Sequence, residues 1–187
     1  VPVFPFAQVY EGLTTTLELL QESIEEAPTE LLAAFAGMRA HLELVPTTLP
    51  AAYSSLMRTV ELSGALSLAN LPGTNAECMW WAGAFTIQGQ RWVDDLLHVA
   101  PWLSLPTPPD GAPGSTIGMS LSSLVHTDEQ ALTDLDAPLR EALGLGAERA
   151  TLRLMALRRL ATRCTELADI DYDFLYDEAR GLLSIGY

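Results

Sequence analysis

The chain has 187 residues, a mass of 20.3 kDa, 49% hydrophobic and 18% charged residues, which makes it a globular chain long enough to bury a sizeable core. Its formal net charge is −14, which argues against nucleic acid backbones and anionic lipid headgroups as partners and leaves no cationic cradle for phosphates. All ten basic residues are Arg, and a neutral ligand such as a sugar is compatible with this balance.

In chain order, Pro2 and Pro5 keep the first six residues irregular, and a helical pattern follows Gly12 with Leu13, Leu17, Leu20 and Ile24 at spacings of three and four. Pro28 ends it, and Thr29 is placed to cap a second helix carrying Leu31, Leu32, Phe35, Met38 and Leu42. A third helix runs from about Leu49 to Leu68, with Pro50 in its first turn and Tyr53, Leu56 and Val60 on one face. Thr74 and Glu77 have the spacing of a capping box. They open a helix to about His98 with the heaviest apolar stripe of the chain. Trp81, Phe85, Trp92 and Leu96 share one face, with Trp80 and Ile87 beside it, and all are read as core. Pro101 ends that helix, and Trp102 and Leu103 are expected to fold back on it.

Ser104–Ser123 is rich in Pro, Gly and Ser and reads as a flexible, exposed connection. It divides the chain into an N-terminal helical part, 1–103, the loop, 104–123, and a C-terminal helical part, 124–187. Thr127 and Gln130 form another capping-box pattern, opening a helix through Leu132, Leu135, Leu139 and Leu143 that Pro138 kinks or divides and Gly144 and Gly146 close. A last helix, Glu148 to about Asp169, sets Leu154, Leu157, Leu160, Cys164 and Leu167 on one side, with Arg153, Arg158, Arg159 and Arg163 on other faces. Beyond it, only Leu182–Tyr187 reads as extended. The fold class is all-α, six or seven helices with antiparallel neighbours.

Chemistry is sparse. His41, His98 and His126 are not paired at metal-ligand spacing, and there is no HExxH, CxxC, GxSxG or phosphate-binding Gly loop, so neither metal nor cofactor is expected. Cys78 and Cys164 lie in apolar surroundings and read as buried, free thiols of a reducing compartment. The acids Asp169, Asp171, Asp173, Asp177 and Glu178 beside Tyr172, Phe174 and Tyr176 are the nearest thing to a glycosidase carboxylate cluster, although a solvated helix end explains them as well.

The segment Asp173-Phe174-Leu175-Tyr176-Asp177, Arg180 and Leu183-Ser184-Ile185-Gly186-Tyr187, following Cys164 and Leu167-Ala168, resembles the middle, glycoamylase-like region of bacterial cyclic β-1,2-glucan synthases. In that family a helix leads into a MDFxFLYDxxRxLFSIGYN segment; here Ile170-Asp171-Tyr172 stands for the Met-Asp-Phe run and Leu183 for a Phe. Trp80-Trp81, Asp94-Asp95-Leu96 and Ala100-Pro101-Trp102-Leu103 are similar to the family's Trp, DL and PWL helix. The resemblance implies antiparallel helical hairpins within an (α/α)6 barrel that reshapes linear β-1,2-glucan and sets its chain length. It implies the remaining domains of a larger polypeptide as partners, at the cytoplasmic side of the bacterial inner membrane, with membrane contact only through that parent. The family's catalytic carboxylates follow the SIGYN segment, so no catalytic residue is assigned here and the chain alone is expected to be inactive. Tyr176, Asp177 and Tyr187 match motif positions as substrate-binding candidates that also serve as structural anchors. Two other readings stand beside this one: a noncatalytic helical interaction module docking through the Trp80–Trp102 face, and a small glycosidase using the terminal acids.

Overall fold

The computed structural model describes residues 1–25, 27–65, 75–105, 119–126, 135–169, 176–177 and 181–183. Among them lie six α-helices: α1 Phe6–Glu22, α2 Thr29–Glu43, α3 Leu49–Ala65, α4 Ala76–Val99, α5 Leu121–Val125 and α6 Ala137–Ala168. A 3-10 turn spans Pro101–Ser104, and a two-residue antiparallel ladder joins β1 Tyr176–Asp177 to β2 Leu182–Leu183. The fold is all-α. The chain forms two compact units, Val1–Thr151 and Leu152–Tyr187.

In the first unit α4 is the central element, packed against α1 and α3. Its inward row, Cys78, Phe85, Gly89, Val93, Leu96 and Val99, repeats at three, four and seven residues and is buried. Facing it are Leu13, Leu17 and Leu20 of α1 and Leu49, Ala52 and Leu56 of α3, each 2% exposed or less. Burying a side chain of this size stabilises the fold by about 1.5–3 kcal/mol. A polar link joins α1 to α4: the Thr16 hydroxyl lies 2.7 Å from Gln88 Oε1 and 2.9 Å from Gly12 O of its own helix, and shares its one proton between them.

The N-terminus is held rather than loose. Val3 N donates to Met119 O, and Leu121 N donates to Val1 O, both at 3.0 Å. This clip seats Phe4 in the core, where its ring meets Trp92 edge-on at 5.9 Å.

Helix boundaries depart from the sequence reading in instructive ways. α1 begins at Phe6, not after Gly12, because Val9 and Tyr10 extend the buried stripe one turn back and Pro5 supplies the first carbonyl. Pro28, not Thr29, stands at the N-cap of α2, and Thr29 makes no capping bond. Asn75 caps α4, its Oδ1 accepting from Cys78 N at 2.8 Å; Thr74, the expected cap, lies outside the described residues. The buried row of α3 is Leu49, Ala52, Leu56, Thr59 and Ser63, with Tyr53 and Val60 at its edge. The expected flexible stretch is structured at both ends: Ser104 closes the 3-10 turn, and Ser120 caps α5 by accepting from Ser123 N at 3.0 Å.

The largest correction concerns α6. Pro138 falls in its first turn, where a missing N–H costs nothing, and Gly144 and Gly146 lie inside one continuous helix. Gly146 is a contact, not a stop. A Cβ built there would sit 2.6 Å from Trp102 Cζ3 and 2.7 Å from Val99 O, so a glycine is what lets α6 approach the Pro101 turn. Trp102 and Leu103 fold back as expected and are 0% and 4% exposed. Thr127 and Gln130, the expected cap of this region, lie outside the described residues.

Candidate functional site

The sequence candidates divide. Tyr176 and Asp177 form β1, with their backbones paired to Leu183 and Leu182, and Gly181 supplies the positive φ of +62° at the turn. Tyr187 lies outside the described residues, as do Asp171, Asp173 and Glu178. The ladder agrees with the extended reading of Leu182 and Leu183, but Tyr176 and Asp177 carry no strand pattern of their own. Cys78 is buried, whereas Cys164 is exposed, contrary to its reading as a core thiol.

One arrangement resembles a nucleophile with its base: His41 Nε2 lies 3.2 Å from Ser55 Oγ. The same nitrogen lies 3.0 Å from the Ser55 carbonyl oxygen, which can only accept. That contact requires a proton on Nε2, so the nitrogen cannot also take one from the hydroxyl. The pair therefore ties α2 to α3. Behind it, Tyr10 is 1% exposed and its hydroxyl has no hydrogen-bond partner of good geometry among the described residues. Burial pushes the phenol above its ordinary 10.0, and the neighbouring Ser55 side chain offsets part of the rise.

A largely apolar open groove of about 830 Å³ runs along the outer face of α4. Met79, Trp80, Ile87 and Trp92 give it apolar walls, and Gln88, Arg91 and Asp95 give it polar ones. Trp80 is 63% exposed and Ile87 54%, which overturns their reading as core. Trp81 and Trp92 are half-buried at the margin of the inward row, and Trp80 rests edge-on against Trp81 at 4.6 Å. The signal was available: Trp80 and Ile87 lie half a turn from the row of Cys78, Phe85, Gly89 and Val93.

The lining of this groove sets what chemistry it can take part in. Among its described lining residues the one carboxylate is Asp95, and glycoside cleavage needs two across a sugar. Asp94 points elsewhere, accepting from Gln90 Nε2 at 2.9 Å. Among the described residues no cluster of three or more His, Cys, Asp or Glu could hold a metal. Nor, among them, is any helix long and apolar enough to cross a membrane.

No family model, no curated protein and no solved structure matches the chain.

On α6, Leu139, Leu143, Gly146 and Ala150 are buried. The same stripe continues at the same spacing through Leu154, half-buried, and Leu157, 38% exposed, to the exposed Cys164.

Proposed function

We propose that the chain is a noncatalytic helical part of a larger β-1,2-glucan-processing enzyme. The observation that carries the architecture is the α6 stripe, covered over its first half and uncovered over its second. A helix that keeps its apolar spacing past its own unit is built to be covered by further helices, since exposed apolar patches mark contact surfaces. Helical hairpins laid side by side into a barrel provide such cover. The substrate class rests on the residues Asp173–Asp177 and Leu183–Tyr187, which resemble the glucan synthase segment. The single carboxylate in the α4 groove fits a supporting rather than a cleaving role. In this reading Tyr176, Asp177 and Tyr187 anchor the helix to the glucan-reshaping domain, and that domain's parent sits at the cytoplasmic side of the inner membrane.

The test is twofold. The coding sequence after Tyr187 is expected to continue in frame with Asn and a further helical region; a stop codon there overturns the reading. Linear β-1,2-glucan incubated with this chain is expected to keep its chain-length distribution. Turnover that Asp173→Asn abolishes would place an active site in the terminal acids instead.

A second reading is favoured by the exposure of Trp80 and Ile87: a module that docks a neighbouring domain through α4. Under it, Trp80→Ala abolishes association with the parent's other domains and leaves the thermal transition of this chain unchanged.

A further inference from the structure

Half of the ten basic residues fall between Arg149 and Arg163, a stretch with no acid, in a chain of net charge −14. It lies largely in the second half of α6, which runs five residues further to Ala168. One face of it, distinct from the stripe described above, carries Leu152, Met155, Arg159 and Arg163 at helical spacing. Leu152 and Met155 are each 60% exposed, and both arginines are exposed. Among the described residues the recorded ion pair is Arg58–Glu61, which involves neither Arg159 nor Arg163.

The complementary surface is on the same chain. Between α1 and α2 run two adjoining hollows of about 300 and 370 Å³. Glu18, Glu22 and Glu43 rim them, and Leu32, 45% exposed, lies in the floor. Arg39 within the hollow is engaged by Gln21, donating to Oε1 at 2.9 Å. Glu18 and Glu22 are four residues apart on one helix, as Arg159 and Arg163 are on the other, so the two pairs match in rise. Leu32 lies beside the groove's acids, as Leu152 and Met155 lie beside the arginines.

We propose that the Leu152–Arg163 face of α6 docks in the α1–α2 groove of a second copy, each copy giving its helix and receiving the other's. Arg159 and Arg163 pair with Glu18 and Glu22 of the other copy, and Met155 and Leu152 cover Leu32. The overall negative charge does not forbid this, because repulsion between bodies is screened beyond roughly 8 Å at physiological salt while contact pairs are not.

Sedimentation velocity of the whole chain tests it. The chain is expected to dimerise at about 0.1 mM or below, the weak end of useful affinity. R159E/R163E and E18R/E22R are each expected to weaken the dimer at least tenfold while keeping the circular dichroism of the parent. Mixed together, these two variants are expected to restore it, since every reversed arginine then meets a reversed glutamate. The uncharged variant L152S/M155S also weakens the dimer. A monomeric parent chain, a dimer indifferent to R159E/R163E, or a mixture that fails to recover overturns the proposal. So does dissociation by Trp80→Ala, which moves the contact to α4, or Arg-dependent binding to phosphatidylserine vesicles by a monomer, which makes the face a lipid site. None of these outcomes bears on the glucan reading, which the downstream coding sequence decides.

Discussion

Tyr10 and Gly146 show how single positions set the stability of the helical body. The Tyr10 phenol is buried without a good partner, an arrangement that costs about 1–3 kcal/mol. Tyr10→Phe is therefore expected to stabilise the chain by about 1 kcal/mol at neutral pH, read as a higher urea midpoint. The sign at high pH follows from the raised folded value. The folded state keeps the phenol proton where the unfolded chain has lost it, so the contribution is whole below pH 10.0 and is lost as pH rises through the folded value. The parent should lose stability above pH 10.0 more steeply than Tyr10→Phe does. Gly146→Ala forces a methyl against Trp102 and a backbone oxygen and is expected to cost about 1–3 kcal/mol. Gly144→Ala, with nothing within 4 Å of its Cβ, should instead gain about 0.5–1 kcal/mol from helix propensity. Sequence alone shows two glycines two residues apart in an apolar helix pattern. It does not show that one of them lies under the indole of Trp102, far back in the chain, so both read as a helix stop.

At the scale of the element, α4 and α6 are the informative helices. The cap of α4 is local: Asn75→Ala is expected to lower stability by about 0.5–2 kcal/mol, measured by thermal unfolding, through loss of its bond to Cys78 N. Helix existence was legible wherever apolar residues recur at three and four, because that spacing is the geometry of the helix itself. For α2 and α4 the cap was legible to within a residue, Pro28 and Asn75 standing next to the expected Thr29 and Thr74, whereas the starts of α1 and α5 were not. Face assignment was the weak point. Aromatic residues were assigned to the core by type, yet Trp80 follows its angular position and stays outside. The outer groove on α4 therefore needed coordinates to be seen. The second half of α6 makes its own prediction. Amide exchange is expected to be faster over Leu152–Ala168 than over Leu139–Ala150, because only the earlier residues are packed.

For the molecule as a whole, the all-α class was legible from composition and periodicity, while the tail's substrate class came from resemblance and awaits the glucan assay. The charge pattern was visible only as a total until the helices gave it faces. A last consequence concerns synthesis rather than stability. The Val1–Val3 segment pairs with Met119–Leu121, strands of backbone that leave the ribosome roughly a hundred residues apart, or roughly 5–20 s at ~5–20 residues per second. Throughout that interval Phe4 has no clip to seat it against Trp92, and α1 and α4 must wait with an open seam. Nascent chains arrested shortly before Met119 should accordingly be cut by protease near Phe4, and chains arrested well past α5 should not.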